Sequence, residues 1–213
     1  MRPALIVDVE STSLTPDYQT GSGVIWELAI IDIATGAEHM WRMKPDLGVA
    51  DPGALSVGQF YKRTEDMCAD CRNPDRAYDL TRAGVGNSKP EWSSPAQLAA
   101  LTARVLDGAT IVAANPAFDT AFLAAFLRWH SQAPTWHYRL RDIGSMAAGF
   151  LAKGCMPALV REGLVPALPA FDASTDDFAR ALGVDPGAFE RHSALGDCRL
   201  VAAMFDVIAG GAK

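Results

Sequence analysis

Ala4-Leu5-Ile6-Val7-Asp8-Val9-Glu10 is the stretch on which the reading of this chain turns. A short apolar run that ends in acids reads as a buried β-strand. Side chains alternate faces along a strand, so Asp8 and Glu10, two residues apart, project together from the edge of a hydrophobic core. Paired negative charges at such a place are costly unless something neutralises them. The natural neutraliser is a hard divalent cation with oxygen ligands, such as Mg²⁺ or Mn²⁺. Taken alone, the pair equally fits a strand end that frays into solvent.

The rest of the composition sets the frame. With 213 residues, 49% of them hydrophobic, and a mean hydropathy of +0.07, the chain suits one globular domain over residues 1–213, burying roughly 70% of its unfolded surface. No apolar stretch approaches the ~20 residues of a membrane span, and the first residues lack a signal-peptide pattern. A cytoplasmic protein without a membrane partner is expected. Twenty-five acids against 19 bases leave a net charge of −6. That sign argues against a protein that coats long duplexes, though not against one that grips a few nucleotides. Cys68 and Cys71 form a C-x-x-C, half of a zinc site or a redox pair. Cys155 and Cys198 offer no second half, so free thiols in a reducing compartment are the better expectation.

Outward from the first strand, Ser11 to Gly23 is polar and loop-like. Val24 to Ile33 and Glu38 to Met43 read as second and third strands of a meander, joined by a turn at Ala34-Thr35-Gly36. Gly48 to Glu91, rich in Pro and Gly, reads as a surface excursion with a short helix within Leu55 to Met67. Ser94 with Pro95 marks a helix start, carried by Leu98, Leu101 and Val105 to a stop at Gly108. Thr110 to Ala114 is a fourth strand, Phe118 to Trp129 a helix, Thr135 to Leu140 a fifth strand and Ile143 to Ala152 a helix. Ser174 and Asp177 resemble a capping box that opens a helix to Leu182, stopped by Gly183. Ala194 to Ala209 is a last amphipathic helix. Strands in a meander, then strands alternating with helices, imply an α/β mixed sheet covered by helices.

Two further groups complement the first. Asn115-Pro116-Ala117-Phe118-Asp119 puts Asp119 where the fourth strand meets its helix, the end at which α/β sheets bind ligands. His192-Ser193-Ala194-Leu195-Gly196-Asp197 opens the last helix. Each has an ordinary explanation in helix capping and first-turn acids. As a set, Asp8, Glu10, Asp119 and Asp197 suit two divalent ions ~4 Å apart, the arrangement that cleaves phosphodiesters. An imidazole ordinarily titrates near ~6.5, so His192 is suited to take a proton from water at neutral pH.

At these residues the chain resembles the DEDDh 3′–5′ exonucleases, the DnaQ-like proofreading branch of the ribonuclease H-like superfamily. The family motif D-x-E-T-T-G stands here as Asp8-Val9-Glu10-Ser11-Thr12-Ser13. I-E-I-G-A is similar to Trp26-Glu27-Leu28-Ala29-Ile30. N-x-x-x-D followed by F-L is met by Asn115 to Asp119 with Phe122-Leu123, and H-x-A-x-x-D by His192, Ala194 and Asp197. Leu182-Gly183-Val184 matches the family's helix end. The resemblance implies a ribonuclease H-like mixed five-stranded sheet in the order 3-2-1-4-5, flanked by helices, with a non-core excursion at about 48–91. It implies two Mg²⁺ or Mn²⁺ ions held by Asp8, Glu10 and Asp197, with Asp119 binding largely through water and His192 as general base. Ser11, Thr12 and Leu14 would meet the terminal nucleotide, with Asn115 and Phe118 lining the cleft; Phe118 equally fits an ordinary core position. Ser13 in place of glycine and Pro116 after Asn115 depart from the pattern, and bear on substrate preference more than on activity.

The resemblance thus implies a metal-dependent 3′–5′ exonuclease that releases mononucleotides from single-stranded or frayed DNA, with any polymerase partner acting in trans. An exoribonuclease of the ribonuclease T or oligoribonuclease type shares every one of these residues. A catalytically silent nucleic-acid-binding or polymerase-docking module on the same fold is the third reading.

Overall fold

The computed structural model describes residues 2–64, 77–79, 92–154, 169–170 and 172–210. The opening run forms β1 (Ala4–Ser11), followed by β2 (Ile25–Asp32) and β3 (Glu38–Met43). All three pair antiparallel, with Asp8 opposite Ala29, Glu10 opposite Glu27 and Leu28 opposite Trp41. Two short helices follow, α1 (Pro52–Val57) and α2 (Phe60–Thr64). Then come β4 (Ala77–Asp79), β5 (Trp92–Ser93), α3 (Pro95–Val105), β6 (Thr110–Ala113) and α4 (Pro116–Trp129). The chain ends with β7 (Arg141–Asp142), α5 (Ile143–Gly154), α6 (Thr175–Ala181) and α7 (Ala194–Ile208). The sheet order is β5-β4-β3-β2-β1-β6-β7. β6 and β7 run parallel to β1, so the expected five-stranded mixed core is present as β3-β2-β1-β6-β7.

Three expectations need correction. The excursion is not wholly outside the sheet, because β4 within it pairs with the β3 edge and β5 just beyond it pairs with β4. Its helix is two helices, divided at Gly58 and at Gln59, whose φ of 51° no α-helix accommodates. Thr135 to Leu140 is not a strand. That segment makes single hydrogen bonds to the Gly108-Ala109 turn, from Gly108 N to Thr135 O and from His137 N to Ala109 O. Trp136 and Leu140 pack on the core, which explains the strand-like composition. The ladder itself begins one residue later, at Arg141 opposite Val112. Cys68, Cys71 and Cys155 lie outside the described residues. Cys198 is a free, buried thiol. No helix among the described residues is long and apolar enough to cross a membrane.

Parity along β1 positions the site. Leu5, Val7 and Val9 face one layer with Leu98 of α3 and Phe122 and Phe126 of α4. Ile6 faces the other with Ala29, Ile31, Ile143 of α5, Phe178 of α6 and Val201 and Met204 of α7. Each large side chain buried there contributes ~1.5–3 kcal/mol. Asp8 and Glu10 share the parity of Ile6, so they point towards the α7 layer.

Candidate active site

Asp8 and Glu10 emerge where the apolar face of β1 gives out. A register shift between Glu10 and Ser11 breaks the regular ladder before its last pair, Ser11 with Ile25, and such bulges re-aim side chains at strand ends. α7 packs on the same face and begins beside them. Ser193 caps it by accepting from Gly196 N, and Asp197 lies in its first turn. Gly196 makes this approach possible: a Cβ there would stand 1.9 Å from Glu190 O. The carboxylates of Asp8, Glu10 and Asp197 bring oxygen atoms within 4.8 Å of one another.

Asp119 arrives from the opposite layer. β6 pairs with β1 only as far as Ile6, so the β1 edge beyond it is open. Pro116 and Asn115 start α4 at that point, and buried Asp119 Oδ1 accepts from Val9 N at 3.1 Å. Asp119 is therefore outside the trio and tied to the strand that carries it.

Electrostatics show the strain of this arrangement. Burial pushes the Glu10 carboxyl up to about 7; Arg63 opposes the rise and Glu27 and Asp119 add to it. Burial likewise takes Asp119 to about 7 against the pull of the Val9 hydrogen bond. Asp8 is raised well above the usual carboxylate range by burial first, then by Asp119 and Glu10. Clustered acids that resist ionisation share their protons, so these values belong to the cluster. Oxygen-only donors, close spacing and a negative charge that Arg191 offsets only in part fit a hard divalent cation.

A cleft of about 460 Å³ opens over these groups. Its walls include Asp8, Glu10, Asp119, His192 and Asp197, together with Ser11, Leu14, Asn115 and Phe118. Of the residues expected at the site, only Thr12 is not among its lining. Thr12 is fully buried; its hydroxyl donates to Ser22 O and accepts from Val24 N, both at 2.9 Å. That hydroxyl holds the 12–24 loop closed instead. Ser11 spends its hydroxyl on Ser13 O, and Leu14 stands 78% exposed at the rim. Phe118 packs on Phe122 while also forming part of the wall.

Other residues at the site were not among the expected site residues. Asp51, Gly53, Ala54 and Val57 bring α1 into the cleft wall. A Cβ on Gly58 would meet Glu10 Oε2 at 2.9 Å and Trp26 at 3.0 Å. Arg191 pairs with both Asp197 and Asp176. Beneath the site lies Glu27, with no exposed surface. It accepts from Arg42 Nε at 2.6 Å and from Ala194 N at 2.9 Å, and pairs with buried Arg63. Their signal was a charge within the apolar β2 run, Trp26-Glu27-Leu28, which only a buried partner explains. His192 itself adopts a left-handed φ of 60°, a conformation that costs about 1–2 kcal/mol for a non-glycine residue.

No protein-family model and no curated protein matches this chain. Solved structures do. One, described as a 3′-exonuclease in 3′-end-specific recognition of a histone mRNA stem-loop, is similar over 98% of this chain with 12% identity and a TM-score of 0.57. This chain spans 64% of that one. Another, the nuclease domain of 3′hExo, a DEDDh family member bound to rAMP, aligns over 98% of this chain and 92% of its own, with 11% identity and a TM-score of 0.47. The likeness is one of fold: an α/β architecture built on a mixed sheet.

Proposed function

We propose that this protein is a metal-dependent 3′–5′ exonuclease of the DEDDh type, releasing mononucleotides from single-stranded or frayed DNA ends. One observation carries the reading: carboxylates from β1 and α7, distant in sequence, meet within 4.8 Å in a cleft that Asp119 and His192 also line. A structural cluster of acids has no need of a histidine beside it or of a nucleotide-sized hollow above it. The 3′-exonuclease fold supports the same reading.

Asp8, Glu10 and Asp197 would hold the divalent ions, with Asp119 beside them. Such ions would neutralise the charge of a scissile phosphate and make water a stronger nucleophile. His192 takes the proton from the attacking water, a contribution of roughly 10²–10⁴-fold. Asn115, Phe118, Ser11 and Leu14 hold the terminal nucleotide, and a stacked aromatic contributes ~1–3 kcal/mol per base whatever the sequence. The cleft is walled by α1 on one side and α4 on the other, which suits a strand end rather than a continuous duplex.

The test is digestion of 3′- and 5′-labelled DNA and RNA oligonucleotides with Mn²⁺, Mg²⁺ or EDTA. A 5′-labelled strand should shorten stepwise and a 3′ label should leave as a mononucleotide, both ending with EDTA. Faster turnover of RNA would move the reading to an exoribonuclease. No release from any substrate would leave a binding module.

A further inference from the structure

We propose that Arg63, from the excursion rather than from any catalytic motif, is the positioning residue for His192. The proposal rests on the reading of His192 as general base and adds a residue to it. Arg63 Nη1 donates to the His192 carbonyl at 2.9 Å and to Gly58 O at 3.3 Å. Its other terminal nitrogen pairs with Glu27 Oε1, the same atom that accepts from Ala194 N at 2.9 Å. The two charged side chains thus grip the backbone on both sides of Ser193: Arg63 takes the carbonyl before it and Glu27 the amide after it. Arg42 closes the assembly, donating to Glu27 Oε2 at 2.6 Å and to Arg63 O at 2.7 Å. Trp26 lies under the guanidinium, 5.2 Å from ring centroid to Cζ.

A left-handed residue persists only where its surroundings over-determine it. At His192 (φ 60°) the surroundings are this clip. Left-handed backbone here turns the imidazole into the cleft wall while the carbonyl points down into the buried ion pair. The Arg63 Nε has no partner among the described residues, and burying it unpaired carries a desolvation penalty. The consequence is that the excursion is coupled to the reaction. α1 lines the cleft, Gly58 abuts Glu10, and α2 sets the backbone of the base.

The experiment compares wild type with Arg63→Met and Arg63→Lys in the full chain, measuring kcat and KM on a 3′-labelled oligonucleotide with Mn²⁺. It also follows the imidazole ¹H–¹³C signals of the four histidines, assigned through His192→Gln, and checks folding by thermal unfolding. Misplacement of a catalytic group by about an ångström costs on the order of 10²-fold. Arg63→Met should therefore lower kcat by about 10–100-fold with KM within about threefold, because Asn115 and Phe118 are set by another element. The His192 signal should move or split while those of His39, His130 and His137 stay. Arg63→Lys keeps the charge that Glu27 needs and loses the fork; it should fold even where Arg63→Met does not, and change kcat and the His192 signal in the same direction. An unmoved His192 signal in a folded variant, or a kcat within about threefold of wild type, overturns the proposal. If wild type cleaves nothing, the nuclease reading fails, and the His192 signal alone still decides whether the clip exists.

Discussion

At the scale of single residues, the site sets stability against function. Asp8 is held in a place that opposes its ionisation, through burial and through Asp119 and Glu10. Replacing it with a neutral isostere removes that penalty and the ligand together. Asp8→Asn should abolish nucleotide release while raising the melting temperature of the metal-free protein at pH 8, each kcal/mol recovered being worth ~2–4 °C in a chain of this size. Calorimetry in EDTA checks it, and a lower melting temperature would mean the Asp8 charge is already compensated. Glu27 should behave in the opposite way. Its charge is matched by Arg42 and Arg63, so Glu27→Ala strands two cations and should cost about 3–5 kcal/mol of stability, measured by urea unfolding. His192→Ala removes no buried group and should leave stability within ~0.5 kcal/mol of wild type. Its turnover should fall by roughly 10²–10⁴-fold in the labelled-oligonucleotide assay.

At the scale of elements, the first turn of α7 carries Asp197, and its glycine is the test. A Cβ on Gly196 would collide with Glu190 O at 1.9 Å and Ser193 Oγ at 2.6 Å, so the turn would have to shift and carry Asp197 with it. Gly196→Ala should lower both activity and stability, whereas Gly149→Ala, at an exposed position of α5 with nothing within 4 Å, should stabilise by roughly 0.5–1 kcal/mol through helix propensity. Equal effects of the two substitutions in activity and unfolding assays would refute the packing argument. What could be read of these elements from sequence follows the same logic. β1, α3 and α6 were legible because period and caps agree: Ser94 with Gln97 and Ser174 with Asp177 both form capping boxes. The meeting of Asp8, Glu10, Asp119, His192 and Asp197 in one cleft was legible because short, local spacings place each acid or histidine at a strand end or helix start. The inward turn of the Thr12 hydroxyl was not legible, because a hydroxyl beside the motif gives no sign of which way it faces. Thr135 to Leu140 was misread because aromatic, β-branched composition reports burial as well as pairing. Arg63 was invisible, since its partners lie 36 and 129 positions away and no spacing encodes that meeting.

For the whole molecule, the acids make stability a function of pH and of metal. Glu10 and Asp119 titrate about 7 when folded, above their ordinary 4.5 and 3.8, and Asp8 is raised as well. A carboxyl raised by folding supports the native state fully below its unfolded pKa, where both states are protonated. That support is lost as pH climbs through the folded value, because the unfolded chain ionises first. In EDTA the melting temperature should therefore decline from about pH 4–5 through about pH 7. A cation that binds only the folded protein reverses the loss, by about 2.7 kcal/mol at one hundred times its dissociation constant. Protons compete for the same oxygens, so the metal-dependent gain must be larger at pH 8 than at pH 5. Melting curves at the two pH values, with Mn²⁺ and with EDTA, measure that difference directly. A gain of equal size at both would place the bound ion somewhere other than this cluster, since only groups that titrate between those values can make it pH-dependent. The same comparison in Asp8→Asn should show most of the gain gone, which separates cation binding at β1 and α7 from general screening of a chain with net charge −6.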